Sequence, residues 1–431
     1  MLRFDPAGLR PARLVPPPSK SDAQRALVLA HLTGVPREQV LADEELAHAP
    51  SDVKALARGL DTLSSAGDAE ALIDCGDGGA PFRFLLGQAA VAPGADVRFV
   101  GSARLGERPH ASLIEALRSA LEAHGLVIEE GHPWPVRVRG AGETGSPVFR
   151  IDARKSSQYA SSLLLAAASL ATREDRPWAV ELESGSASEG YLEMTFDWLA
   201  RFGFSVARTG MRATVTPGPV PASVTPVPGD WSSIAYLLLV AWATGGHVTH
   251  VDLQASHPDR AIARILSEVG LELVPDESGF RVAGRARSGL VASGAECPDL
   301  LPTLAALACV LPGPSTLHEV GILRHKECDR LEATRELVQA VGGETTLEGE
   351  TLIIHPPTRG PLGFEFATRG DHRMAMSAAT LAVLARVPVT VDDAECVGKS
   401  FPGFWDELER AGAQLHWSTA HVPEKSPERR S

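Results

Sequence analysis

DHRMAMSAATLAVLA, residues 371–385, is the stretch on which the fold turns. After one polar turn, a helix drawn through it is small or apolar on nearly every side. Such a helix has no face to give to water and is buried all round. The same pattern, a polar or Gly-rich start running into small apolar residues, recurs five times. The copies are SKSDAQRALVLAHL from Ser19, GGAPFRFLLGQAAV from Gly78, SSQYASSLLLAAASLA from Ser156, DWSSIAYLLLVAWAT from Asp230 and PDLLPTLAALACVL from Pro298. Ser, Asp or Gly at a start suits an N-cap.

A second, amphipathic helical pattern follows each buried one and stops at a glycine: Gly67, Gly125, Gly203, Gly270, Gly342 and Gly412. That is the place of a C′ residue. Short β-type runs around a Gly turn come next, as in LELVPDESGFRVAG and TTLEGETLIIH, and read as hairpins. The unit is β-α-β-α-β-β with a spacing of about 60–80 residues, longer than most solenoid repeats. Buried helices beside sheets imply sheets wrapped around helices. The Pro-rich stretch Pro217–Asp230 falls where three units are complete and marks a crossing between domains. The expected domains are residues 19–229, with three units, and residues 230–431, with three more completed by residues 1–18.

The chain has 431 residues, with 41 Lys and Arg against 54 Asp and Glu, a formal charge of −13. A net negative surface disfavours nucleic acid and anionic membranes as partners. Small anions would need a local cluster of cations. Five cysteines, an odd number without CxxC, suit reduced thiols rather than a disulfide framework. No metal-ligand spacing stands out, so no metal is expected. The N-terminus lacks the apolar core of a signal peptide. The longest apolar runs, such as Tyr236–Thr244, fall short of the roughly 20 residues that span a bilayer. The polar tail HVPEKSPERRS is expected to be disordered. A cytoplasmic protein follows.

Position makes the polar residues informative. Helix N-termini offer free N–H groups and partial positive charge to anions. PSKSDAQR puts Lys20 and Ser21 at such a start, with Arg25 a turn on. GDGGAPFR supplies Gly79 for close backbone approach, and Arg83. ARLGERP places Arg104 and Arg108 four apart. KSSQY offers Ser156, Ser157 and Gln158, and SEGY offers Ser188 and Tyr191. CPD gives Asp299. RHKECDR packs Arg324, Lys326, Glu327 and Arg330 together. DHR gives His372 and Arg373, and GKSFP gives Lys399. Taken singly, Asp299 and Asp371 read as N-caps, and RHKECDR reads as a solvated turn. No P-loop, dinucleotide fingerprint, GxSxG or HExxH occurs. Joint occurrence, in order and at matching places in the units, argues for one anion-binding cleft.

In SKS…R, G-x-x-x-R-F-L, ERP, SSQ, S-x-x-Y, PD, KE-x-DR, DHR and KSFP, collinear over nearly the whole chain, the sequence resembles the 5-enolpyruvylshikimate-3-phosphate synthase family. The resemblance implies a two-domain, inside-out α/β barrel of six units, three per domain, with a hinged cleft. It implies transfer of the enolpyruvyl group of phosphoenolpyruvate to the 5-hydroxyl of shikimate 3-phosphate, without cofactor, by a monomer. Asp299 is then the base and Glu327 the acid, with Lys20 sharing the base role. Shikimate 3-phosphate is expected at Lys20, Ser21, Arg25, Ser156, Ser157, Gln158, Ser188, Tyr191, Asp299 and Lys326. Phosphoenolpyruvate is expected at Lys20, Gly79, Arg108, Gln158, Arg330, Arg373 and Lys399, and His372 in a supporting layer. Like charges facing an empty cleft should hold it open.

Three departures stand out. Asp77-Gly78-Gly79-Ala80 replaces the family's Asn-Ala-Gly-Thr, Phe84 stands where a Pro is common, and Ile322 replaces an Asn or Glu. In that family glyphosate competes with phosphoenolpyruvate beside the Gly79 loop. Open space at Gly79 favours the inhibitor, whereas Ala80 and Phe84 push toward tolerance. UDP-N-acetylglucosamine enolpyruvyl transferases resemble the chain less, since they read Lys-Asn at Lys20-Ser21, lack SSQ and carry a loop cysteine absent here. A non-catalytic phosphometabolite binder would have no need of both Asp299 and Glu327.

Overall fold

The computed structural model describes residues 1–65, 70–131, 134, 136–142, 145, 148–154, 156–184, 189–277, 279–360 and 363–418. Gly67 and the tail HVPEKSPERRS lie outside the described residues. Strands β1 (Leu2–Asp5) and β2 (Arg13–Leu14) come first, then helices α1 (Lys20–Thr33), α2 (Asp43–His48) and α3 (Ser51–Ser65). Next run β3 (Ala71–Asp74), α4 (Gly79–Val91), β4 (Asp96–Val100), α5 (Ala103–Glu107), α6 (Ala111–Leu121), β5 (Val127–Glu130) and β6 (Val136–Arg139). After them come β7 (Val148–Ile151), α7 (Ser157–Glu174), β8 (Trp178–Leu182), α8 (Glu189–Arg201), β9 (Ser205–Thr209) and β10 (Arg212–Thr216). The chain continues through α9 (Trp231–Thr244), β11 (His247–Val248), α10 (Ala261–Glu268), β12 (Leu271–Asp276) and β13 (Gly279–Gly284). A further unit holds β14 (Val291–Ser293), α11 (Leu301–Ala308), β15 (Ser315–His318), α12 (Arg330–Ala340), β16 (Glu344–Glu348) and β17 (Thr351–His355). The last holds β18 (Phe364–Phe366), α13 (His372–Ala385), β19 (Val389–Val391), α14 (Phe404–Arg410) and β20 (Gln414–Trp417).

Five four-stranded sheets result, all with one order: first, second, fourth and third strand of the unit. Three of them are β3-β4-β6-β5, β7-β8-β10-β9 and β14-β15-β17-β16. The other two borrow from the N-terminus. β2 pairs in parallel with β11 and opens one sheet, and β1 lies antiparallel between β19 and β20 in the other. Within each sheet the first pair is parallel and the hairpin antiparallel, as in β3/β4 and β5/β6. The five described glycine stops all have left-handed φ, between 82° and 93°.

The first unit departs from this plan. Between α1 and α3 the chain makes a 3-10 turn, Arg37–Gln39, and then α2. ADEELAHA, residues 42–49, is made of good helix formers. The Glu45 carboxylate accepts the N–H of Ala42 at 2.9 Å and caps the helix. Among the described residues five units carry a sheet and the first is helical.

Two apolar cores form. One gathers residues from Ala23 to Val224, the other Leu2, Phe4, Leu14 and residues from Trp231 to Ala413. α1, α4 and α7 pack on one another in the first, and α9, α11 and α13 in the second. These six helices are buried along most of their length. Strands alternate buried and less buried positions, as in β4 and β17, so each sheet covers helices with one face. The chain passes between the cores at two adjacent places. There Ser19 donates its N–H to the Pro228 carbonyl at 2.8 Å, and Asp230 donates to that of Pro17 at 2.9 Å. Among the described residues no helix is long and apolar enough to cross a membrane.

Phe4 is fully buried in the second core, paired with Val389 and Leu415, with its ring 6.4 Å from that of Trp405. Phe4→Ala should therefore cost about 3–5 kcal/mol, although the residue lies almost 400 positions from its partners. Urea unfolding followed by tryptophan fluorescence is the check.

Candidate active site

A cavity of about 940 Å³ lies between the cores, and the N-terminal ends of α1, α4, α7 and α13 meet there. α1 brings Lys20 and Ser21 behind the Ser19 cap, whose oxygen accepts the N–H of Asp22. α4 brings Gly79, Ala80 and Arg83, and α7 brings Ser157 and Gln158 behind the Ser156 cap. α13 brings His372 and Arg373 behind Asp371, whose Oδ1 accepts the N–H of Arg373 at 2.9 Å. The cavity thus collects several positive helix ends. Arg25, Arg108, Tyr191, Asp299, Lys326, Glu327 and Arg330 complete the wall.

Arg330 organises the far side. Its guanidinium, 1% exposed, meets three carboxylates: Nη1 to Asp299 Oδ1 at 2.9 Å, Nη2 to Glu327 Oε2 at 2.6 Å and Nε to Asp371 Oδ2 at 2.7 Å. Asp299 also faces Lys326 Nζ at 3.3 Å and Arg373 Nη2 at 3.3 Å. Burial opposes its ionisation, but Arg373, Lys326 and Arg330 prevail and hold the carboxyl well below the usual range. Glu327 faces Lys399 Nζ at 3.7 Å and Arg108 Nη1 at 4.0 Å. Burial opposes its ionisation too, and Arg330, Lys399 and Arg108 likewise hold it ionised. Burial first, and then Lys20, push the His372 imidazole down, so it is neutral.

The sequence-derived site residues do not all sit alike. Fourteen of the sixteen line the cavity. Lys399 stands outside the wall, beside Glu327, and donates to the Asp77 carbonyl at 3.4 Å. Ser188 lies outside the described residues. Asp299 is no N-cap: α11 begins at Leu301 with Leu300 in the cap position. Arg25 spends four of its five N–H groups within the protein. Nε donates to Thr195 Oγ1, Nη1 to the Ser21 carbonyl, and Nη2 to Ser161 Oγ and the Tyr191 carbonyl. One N–H is left for a ligand. His372, expected in a supporting layer, reaches the cavity wall.

Open space was expected at Gly79. Instead, a Cβ built there would lie 2.6 Å from Nη1 of Arg108. The missing side chain makes room for a protein cation.

An open cleft was expected as well, and here the halves touch. Tyr191 Oη donates to Asp299 Oδ2 at 3.2 Å. Arg104 donates to the carbonyls of Lys326 and Glu327 at 3.0 and 3.2 Å. Counting cations alone predicted repulsion, but Asp299, Glu327 and Asp371 lie among them and offset part of it.

Two participants were given no role by the sequence reading. Arg83 is buried, and burial, then Arg108, lower its pKa to about 9. Its Nη1 donates to Gln158 Oε1 at 2.5 Å and its Nη2 to the Pro109 carbonyl at 3.1 Å. Asp52 holds Lys20 Nζ at 3.3 Å. Arg83 sat in a quoted motif and could have been included. Nothing in the sequence pairs Asp52 with Lys20, 32 positions away. Among the described residues no group of three or more His, Cys, Asp or Glu could hold a metal ion.

Two ionised carboxylates and a ring of cations, gathered at helix ends, suit a small substrate with more than one anionic group. Known proteins agree with that chemistry. A family model described as EPSP synthase (3-phosphoshikimate 1-carboxyvinyltransferase) matches residues 11–408. A 3-phosphoshikimate 1-carboxyvinyltransferase from Methanopyrus kandleri is 34% identical over 437 residues, covering 96% of this chain and 100% of that protein. One from Clostridium kluyveri is 31% identical, covering 93% and 95%. A solved EPSP synthase from Acinetobacter baumannii superposes with a TM-score of 0.69 at 21% identity, over 96% of this chain and 99% of that one, and speaks for the fold. The family match takes in every residue that lines the cavity, from Lys20 to Arg373, and the chain belongs to the EPSP synthase family.

Proposed function

We propose that this chain transfers the enolpyruvyl group of phosphoenolpyruvate to the 5-hydroxyl of shikimate 3-phosphate, releasing phosphate. It does so as a cytoplasmic monomer whose two domains, residues 19–229 and residues 230–431 with 1–18, form an inside-out barrel pair hinged at the paired crossings. The carrying observation is the placement of Asp299 and Glu327 on either side of one buried guanidinium, in a cavity lined by Lys20, Arg108 and Arg373.

The acceptor oxygen adds to C2 of phosphoenolpyruvate while C3 takes a proton. The C2–O bond to phosphate then breaks, and C3 gives its proton back. The step needs a base at the hydroxyl and an acid at the methylene carbon. Asp299, ionised without ligand and hydrogen-bonded to Tyr191, suits the base, and Lys20 shares that role. Glu327 suits the acid, with its carboxyl flanked by Arg330, Arg108 and Lys399, which would meet the donor's carboxylate and phosphate. Arg suits this pairing because its fork matches planar anions bidentately. Ser156, Ser157, Ser188 and Gln158 receive the acceptor's phosphate and ring, with Ser21, Arg25, Tyr191 and Lys326.

Glu327 is ionised in the unliganded protein, whereas an acid must carry a proton. The ligand resolves this. As its anions draw the field of Arg330, Lys399 and Arg108, the Glu327 pKa rises and a proton is taken up. The sign is fixed: a depressed pKa released from its cations moves up, so binding adds protons. Calorimetry of an unreactive phosphoenolpyruvate mimic, with shikimate 3-phosphate, in buffers of different ionisation enthalpy measures this. The unsubstituted protein should take up more protons than Glu327→Gln, and equal uptake would remove Glu327 from the acid role.

The decisive assay is phosphate release from phosphoenolpyruvate. It should depend on shikimate 3-phosphate and not on UDP-N-acetylglucosamine. Asp299→Ala and Glu327→Gln should each lower kcat by about 10²–10⁴-fold. Near-normal turnover in either variant would end its assignment.

Gly79→Ala should leave stability unchanged, because only the far end of Arg108 must move. It should raise the KM for phosphoenolpyruvate by about tenfold or more, the loss of one charge-assisted contact. A KM unchanged in steady-state assays would show that Arg108 accommodates the methyl group in place.

A further inference from the structure

Arg104 was singled out in the sequence with Arg108 and then left without work. The structure gives it some. We infer that Arg104 is a positioning residue that clamps the backbone carrying Lys326 and Glu327 against the first half of the molecule, and so sets where the Glu327 carboxyl meets the substrate. This rests on the reaction proposed above.

The geometry is direct. Nη2 of Arg104 donates to the Lys326 carbonyl at 3.0 Å, and Nε donates to that of Glu327 at 3.2 Å. Two N–H groups of one planar guanidinium therefore hold two successive carbonyls. Among the described residues no backbone N–H donates to either oxygen. Lys326 ends the 3-10 turn Val320–His325, and α12 starts only at Arg330. The peptide between them is not held by regular structure.

Arg104 works from a fixed base. Its helix α5 is capped by Ser102, whose Oγ accepts the Leu105 N–H at 3.2 Å. Trp134 Nε1 donates to the Ser102 carbonyl at 2.8 Å, and Leu105 is fully buried. Glu107 holds Nη1 of Arg104 from the same helix at 3.3 Å. One turn on, Arg108 Nη1 faces the Glu327 carboxylate at 4.0 Å. α5 and the residue that follows it thus reach Glu327 twice, at its backbone through Arg104 and at its carboxylate through Arg108.

The Arg104 side chain is 49% exposed, so truncation hands the two carbonyls to water rather than leaving them unsatisfied. Its removal should spare the fold and disturb only placement. Misplacement by about 1 Å can cost about 10²-fold in rate.

The test compares the unsubstituted chain, Arg104→Ala and Arg104→Lys. For Arg104→Ala, kcat for phosphate release should fall about 10- to 100-fold, with melting temperature unchanged. Arg104→Lys, with one point donor in place of a fork, should recover only part of the rate. Full recovery by Lys, or a loss confined to the KM for phosphoenolpyruvate, would make Arg104 a mere source of positive charge and overturn the inference. So would a normal kcat in Arg104→Ala. A second readout needs no substrate: amide hydrogen exchange over residues 324–329 should be faster in Arg104→Ala, and equal exchange would refute the clamp. Absence of turnover in the unsubstituted chain would instead count against the proposed reaction, with the exchange measurement still deciding the clamp.

Discussion

One buried guanidinium sets the site. Arg330 is withdrawn from water, at a cost of several kcal/mol, and hydrogen bonds to Asp299, Glu327 and Asp371 offset it. Through those bonds it places Asp299 and Glu327, and through Asp371 it ties them to the start of α13. Arg373, Lys326 and Lys399 then gather around carboxylates that Arg330 has already positioned. Carboxylates set among the cations offset part of their mutual repulsion, and the halves touch. In the reaction proposed above, substrate binding is an exchange of partners, in which ligand anions compete with protein carboxylates for the same cations.

Burial of the six central helices was legible in the sequence because small apolar residues on every side leave no other choice. DHRMAMSAATLAVLA states that on its face. The five described glycine stops were legible for a similar reason, since the left-handed φ they adopt suits few other residues. The first unit was not read correctly. Its place in the series suggested a strand, but Ala, Glu and Leu at residues 42–49 favour a helix, and local propensity won there. Pairings between distant residues were the least visible. Asp371 reads as a cap and is one, yet it also holds Arg330, 41 positions away. Asp299 reads as a cap and is not: its carboxylate faces Lys326 and Arg330 from later in its own unit and Arg373 from the next.

The departures from the family pattern acquire local causes. Phe84 is fully buried, and the guanidinium of Arg25 lies 5.5 Å from its ring centre. The aromatic ring offers a cation a favourable face where a proline would offer none. Pro81 stands three residues earlier in the first turn of α4, where a missing N–H costs nothing. Ile322 lines the cavity beside Lys326 and Arg330 and adds apolar surface between charged groups.

The borrowed strands bear on how the molecule is made. Strand β1 is synthesised long before β19 and β20, the strands with which it pairs. At 5–20 residues per second, the delay is on the order of tens of seconds. Until then Leu2 and Phe4 have no core to enter. The first half can be complete while the chain still grows, but the second closes only once β19 and β20 can take β1 between them.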